Sequence, residues 1–222
     1  ESLISKEIPA LLLVTFVTGA LLFDLFLGRF DAVVLIFITG FFGYKLFRKQ
    51  SRVGALPEVG DSDLAPVNSA KAVTYLIAGL VLLVLSAEVL VAAAVSIAEF
   101  FDVSEAIIGL TVVALGTSLP ELAASVTCVL KGHHDLAIGN IIGSNILNLL
   151  AVLPLPALLS PGLIQSPLLF RDYAGVLLLT CLLAYFCFDC IRKQKMIGRL
   201  HGIAFLLIYC GWFTVMLVRM QA

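Results

Sequence analysis

Ile107-Ile108-Gly109-Leu110-Thr111-Val112-Val113-Ala114-Leu115-Gly116-Thr117-Ser118-Leu119-Pro120-Glu121-Leu122-Ala123-Ala124-Ser125 is an apolar stretch with a proline and a carboxylate near its middle. If it crosses a bilayer, Glu121 sits close to mid-membrane. A charge there costs about 3 kcal/mol or more, so it faces a cavity or a partner and marks an ion path. Pro120 has no N–H, and its ring clashes with the carbonyl of Gly116. The helix is expected to kink or open there and to free one or two carbonyl oxygens. Irregular backbone is tolerated at that depth where it lines a cavity or is buried in protein.

The spacing gathers oxygen atoms. Ala114, Thr117, Ser118 and Glu121 fall at i, i+3, i+4 and i+7, one face of a helix. Two hydroxyls, a carboxylate and freed carbonyls are hard ligands that suit Na⁺ and Ca²⁺ better than Zn²⁺ or Cu²⁺. The next apolar stretch contains Gly139-Asn140-Ile141-Ile142-Gly143-Ser144-Asn145-Ile146-Leu147-Asn148. Asn140, Ser144 and Asn148 recur at i, i+4 and i+8 as a polar stripe, with Asn145 beside it. Gly139 and Gly143 form a GxxxG pattern that allows helices to approach closely. The amides of the stripe serve a ligand or bond neighbouring helices; Asn145 is the most ambiguous.

The rest of the chain supports a membrane setting. Of its 222 residues 61% are apolar and 13% charged, and the mean hydropathy is +1.10. A soluble domain is about 45–50% apolar and about 25% charged. One soluble core could not hide so much apolar surface, and the same hydrophobicity excludes disorder. A net charge of −1 with no basic face argues against nucleic-acid binding. The expected fold is all-α, a polytopic transmembrane helical bundle. A spanning helix needs about 20 mainly apolar residues. Seven stretches qualify: 8–27, 31–47, 71–98, 105–130, 135–159, 171–190 and 199–219.

Between the second and third stretches lies a polar linker, 48–70, with Gly54, Pro57, Gly60 and Pro66. Seven crossings put eleven Lys and Arg residues on the side of the N-terminus and three (Arg29, Arg171 and Arg219) on the other. By the positive-inside rule the N-terminus and linker are cytoplasmic and the C-terminus is outside. The five cysteines, Cys128, Cys181, Cys187, Cys190 and Cys210, are read as reduced thiols. Cys187-Phe188-Asp189-Cys190 has no second pair to complete a metal site.

An internal repeat sets the domain organisation. Lys6-Glu7-Ile8-Pro9-Ala10-Leu11-Leu12-Leu13-Val14-Thr15 matches Arg171-Asp172-Tyr173-Ala174-Gly175-Val176-Leu177-Leu178-Leu179-Thr180 at an offset of 165. Asp24 matches Asp189 at the same offset, and Gly28-Arg29 matches Gly198-Arg199 with five extra residues in the second copy. The unit is then five spans. Residues 1–47 are the last two spans of a first repeat, 48–70 a cytoplasmic linker, and 71–222 a complete second repeat with its chemistry at 105–159. The chain is expected to be part of a ten-span inverted-repeat transporter whose first three spans it lacks. An odd number of spans per copy inverts the second relative to the first, a signature of secondary transporters.

Gly116-Thr117-Ser118-Leu119-Pro120-Glu121 followed by Gly139-Asn140-Ile141-Ile142-Gly143-Ser144-Asn145-Ile146 resembles the second α-repeat of the cation/Ca²⁺ exchanger superfamily, in particular bacterial inner-membrane members of the Na⁺/Ca²⁺ exchanger type. The resemblance implies two inverted five-helix repeats and a central cation site shared between two α-repeats. It also implies antiport of Na⁺ against Ca²⁺ by alternating access, with the other spans, 8–47 included, moving past a central core. By motif position, Thr117, Ser118 and Glu121, assisted by the Ala114 carbonyl, are the ligands from the first helix. Ser144 and Asn148 are the ligands from the second, with Asn145 as their neighbour. Asn148 stands where many exchangers carry an acid, which puts stoichiometry and any K⁺ requirement in question. The partner α-repeat and its glutamate are absent, and one carboxylate poorly neutralises a desolvated divalent cation. The chain by itself is therefore not expected to be a competent exchanger.

The expected partners are thus Ca²⁺ and Na⁺ as cargo, with K⁺ or H⁺ as further candidates, the lipid bilayer, and a missing N-terminal repeat of the same parent. No cofactor is expected. The alternatives are a Ca²⁺/H⁺ antiporter, with Glu121 and Glu88 carrying protons, and a cation channel. An intramembrane enzyme is disfavoured because His133, His134 and His201 all lie in loops or near helix ends, away from any membrane-depth nucleophile.

Overall fold

The computed structural model describes residues 3–52, 69–103, 105–193 and 197–221. They are almost entirely helical. In chain order come α1 (Leu3–Leu21), a short strand β1 (Phe26–Leu27), α2 (Arg29–Arg52) and α3 (Ser69–Phe100). A broken rod follows: α4 (Glu105–Ile108), a π-helical segment (Gly109–Val113), α5 (Ala114–Thr117) and α6 (Leu119–Leu130). Then come α7 (His134–Leu147), a second π segment (Asn148–Val152), α8 (Pro154–Leu159) and β2 (Gly162–Leu163). A third π segment (Leu168–Tyr173) leads into α9 (Ala174–Lys193), and α10 (Arg199–Gln221) closes the order.

Five of the described helical stretches are long and apolar enough to cross a membrane: Glu7–Asp24, Lys71–Phe100, His134–Leu159, Leu169–Lys193 and Arg199–Met216. The bent pair Thr111–Thr117 and Leu119–Leu130 makes a sixth. The expected crossing at 31–47 lies on α2, which is helical throughout but is not among the six. Arg29 and Asp31 at one end and Lys45, Arg48, Lys49 and Arg52 at the other leave it a short apolar middle. Residues 48–52, assigned to the linker from sequence, continue α2. Residues 53–68 of that linker lie outside the described residues.

The core is built around α1. Ile8, Leu11, Val14, Thr15 and Thr18 are buried along one side of it, at the three- and four-residue steps that stack on a helix. Ile8 and Leu11 pack with Ile142 of α7 and with Ala184 and Cys187 of α9. Val14 packs with Leu35 of α2 and Leu150 of the second π segment. Tyr173 approaches so closely that a Cβ on Gly19 would lie 2.9 Å from its ring. The Tyr173 hydroxyl donates to the Thr15 carbonyl at 2.6 Å. Among the described residues, α1 and α2 therefore share one core with α7, the second π segment and α9. None of the spanning window of α3 is buried among the described residues.

The loops are set by local chemistry. The α6–α7 hairpin turns on Gly132 at φ 80°. The His133 N–H reaches the Cys128 carbonyl at 2.8 Å and the Gly132 N–H reaches Val129 at 3.0 Å, the paired bonds of a Schellman ending. β1 pairs antiparallel with β2, Phe26 opposite Leu163, tying the α1–α2 turn to the connection before α9. Before α2 the Gly28 N–H donates to Asp31 Oδ2 at 2.7 Å. Before α10 the Gly198 N–H donates to His201 Nδ1 at 3.1 Å. The two Gly-Arg pairs matched in the sequence thus open their helices with the same backward-reaching cap. All five cysteines are free thiols.

Replacing Asp31 by Ala leaves the Gly28 N–H without its acceptor and is expected to cost about 1 kcal/mol. Asp31→Asn keeps an acceptor and most of the stability. Apparent melting temperatures in detergent, compared for the two variants, check this order.

Candidate cation site

The site begins at the break between α5 and α6. Ser118, at φ −89° and ψ −2°, ends one helix and starts the next, and the two halves meet at 45°. Its N–H bonds the Leu115 carbonyl at 3.1 Å and its carbonyl takes the Leu122 N–H at 3.0 Å. Because Pro120 has no N–H, the Gly116 carbonyl loses its i+4 donor, as the sequence requires. Gly116 itself is buried, and the Val91 side chain of α3 occupies the place a Cβ would take. That close approach needs a glycine.

Glu121 stands in the first turn after the break and is half-buried. Its Oε2 is shielded from solvent and has no hydrogen-bond partner. Thr117 Oγ1 donates to the Ala114 carbonyl at 3.1 Å, which leaves a second lone pair on that oxygen. Across the hairpin, Asn140 Nδ2 donates to the Glu121 carbonyl at 3.1 Å and to Ser125 Oγ at 2.9 Å. These bonds fix the register of two antiparallel helices. One turn along each from the Ser125–Asn140 contact brings Glu121 level with Ser144. Ser144 Oγ bonds the Ile141 carbonyl at 3.1 Å. Asn145 Nδ2 bonds the same carbonyl at 2.8 Å, so this amide is engaged with its own helix. Asn148 is exposed at the start of the second π segment.

Both helices of the site carry a widened turn that the sequence reading did not anticipate. One, Gly109–Val113, ends where Ala114 begins; the other starts at Asn148. Single π turns recur at functional sites because they re-aim backbone groups. Thr111 Oγ1 donates to Ile107 at 2.6 Å inside the first. Thr39 of α2 reaches the second, with its Oγ1 at 2.7 Å from the Leu150 carbonyl. Hydroxyls within apolar helices were the available signal, but a one-residue slip in helical bonding has no periodicity of its own.

Of the other acids, Glu7 lies against α7, its Oε2 3.8 Å from where a Cβ on Gly139 would stand. Glu88 is exposed on α3, one turn before the Val91 that meets Gly116. Asp24 caps the Phe26 N–H at 2.9 Å, and Asp189 pairs with Lys193 at 2.9 Å. Among the described residues no group of three or more His, Cys, Asp or Glu gathers to hold a metal. The polar side chains on the two helices of the site carry hydroxyl and amide oxygens, which hard cations accept.

Residues 71–218 match the family of the sodium/calcium exchanger protein. The inner membrane protein YrbG of Escherichia coli (strain K12) is 37% identical over 227 residues, covering 99% of this chain and 67% of that protein. The putative antiporter CaxA of Alkalimonas amylolytica is 37% identical, covering 94% of this chain and 66% of CaxA. The solved sodium-calcium exchanger NCX_Mj, soaked with Na⁺ and Sr²⁺, superposes with a TM-score of 0.73 at 28% identity. That match covers 96% of this chain and 66% of the exchanger. The chain thus spans about two thirds of the length of these relatives.

Gly116→Val is expected to force α3 off the broken rod, an overpacking cost of about 1–3 kcal/mol. Gly109→Ala meets nothing within 4 Å and is expected to change stability by no more than about 1 kcal/mol. Thermal unfolding of the two variants under identical conditions tests the contrast.

Proposed function

The chain belongs to the sodium/calcium exchanger family, and on that premise we propose that it supplies half of the cation site of a secondary antiporter that exchanges Na⁺ for Ca²⁺. Glu121 is the charged anchor. Thr117, Ser118, the Ala114 carbonyl, Ser144 and Asn148 complete the oxygen shell, and Asn145 stands beside it. The observation that carries this reading is the shielded Glu121 Oε2 without a donor, level with Ser144 across the hairpin. A carboxylate oxygen withdrawn from water with no hydrogen bond is costly, and a counter-cation relieves that cost.

Exchange follows from competition for one anion. Na⁺ and Ca²⁺ both accept hard oxygen ligands, so occupancy by one excludes the other. Glu121 alone brings a single negative charge, and Asn148 adds none. A divalent ion therefore requires a second carboxylate, which we assign to a preceding repeat of the parent polypeptide. The greater length of the relatives and the matched caps before α2 and α10 support that assignment. Alternating access is assigned to α3, the rod least embedded in the bundle, moving against the core around α1. With α2 taken as a seventh crossing, the positive-inside count supports a cytoplasmic stretch between α2 and α3 in a bacterial inner membrane.

In proteoliposomes containing the complete parent polypeptide, an outward Na⁺ gradient is expected to drive ⁴⁵Ca²⁺ uptake. Glu121→Gln is expected to abolish it while the protein remains folded and monodisperse. Uptake in the Glu121→Gln variant at the wild-type rate rejects the role given to Glu121. Uptake that follows a pH gradient and ignores Na⁺ replaces the proposed coupling ion with H⁺.

A further inference from the structure

Something must hold Glu121 in place at a break in its own helix. Ser118, at the N-cap position of α6, makes no side-chain cap bond, and Pro120 removes a backbone donor from the same turn. The turn is secured from α7. Asn140 Nδ2 donates to the Glu121 carbonyl at 3.1 Å and to Ser125 Oγ at 2.9 Å. Ser125 lies one turn beyond Glu121, so the amide grips both ends of a single turn. A carbonyl oxygen only accepts, which fixes the amide with its nitrogen toward α6. The two protons of that nitrogen are then both engaged by α6, so the amide serves that helix as a donor. Asn140 is one turn before Ser144 on the polar stripe, beneath the proposed ligands.

We infer that Asn140 is a positioning residue: it clamps the Glu121–Ser125 turn to α7 and thereby sets the distance between the Glu121 carboxylate and Ser144. This rests on the cation-site reading above. The clamp acts on affinity through geometry, as outer groups around a metal do, where losing one costs about tenfold or more.

The test is Na⁺-driven ⁴⁵Ca²⁺ flux in proteoliposomes of the complete parent polypeptide, with wild type, Glu121→Gln, Asn140→Ala, Ser125→Ala and the Ser125/Asn140 double variant. Asn140→Ala is expected to raise the apparent KM for Ca²⁺ about tenfold with the maximal rate kept within about twofold. Ser125→Ala, which removes one of the two bonds, is expected to raise KM less. The double variant is expected to match Asn140→Ala, since Ser125 acts through Asn140. A wild-type KM in Asn140→Ala, a loss confined to the maximal rate, or KM effects that multiply in the double variant overturns the clamp while leaving the Glu121 site standing. If wild type shows no cation-driven flux, the site reading and the clamp fall together. If Asn140→Ala does not fold, Ser125→Ala decides: a raised KM supports the clamp and an unchanged KM overturns it.

Discussion

A carboxylate oxygen is held away from water at a break in an apolar helix, and much of the bundle serves to make that tolerable. Pro120 creates the break by withholding a donor, and Gly116 lets α3 pack against it. The first turn of α6 takes its side-chain support from the neighbouring helix through Asn140. An anion so placed is unstable against lipid. Shielding of Glu121 Oε2 by protein is therefore the fact on which the transport account depends.

The tight Gly132 turn and the Asn140 bonds together set the α6–α7 register, which brings Glu121 level with Ser144. Behind α7 stands α1, packed against α7, α9 and the second π segment through Ile8, Leu11 and Val14. The result is a packed backing on one side of the site and an exposed α3 on the other.

Much of this was legible in the residues. Hydropathy located the helical rods because apolar length is what a bilayer demands, and Pro120 located the break because a missing N–H cannot be compensated by its neighbours. The Gly-Arg repeats were read as a match between copies and prove to be helix starts with like caps, Asp31 in one and His201 in the other. Other features were not legible. The extension of α2 through Arg52 defeats a reading by hydropathy, since charged residues outside a membrane continue a helix at little cost. The central place of α1 depends on contacts with α7 and α9 more than a hundred residues away. The π turns at Gly109–Val113 and Asn148–Val152 arise from packing and leave no periodic trace. Asn140 was visible as part of a stripe, but its target across the hairpin was not.

The most direct measurement is anomalous diffraction from crystals of the full-length protein soaked in Sr²⁺, a heavier stand-in for Ca²⁺. The account predicts a strontium peak at coordination distance, about 2.4–2.7 Å, from a Glu121 carboxylate oxygen and close to Ser144, displaced by high Na⁺. A peak bound elsewhere in the bundle, with Glu121 bonded only to protein, contradicts it.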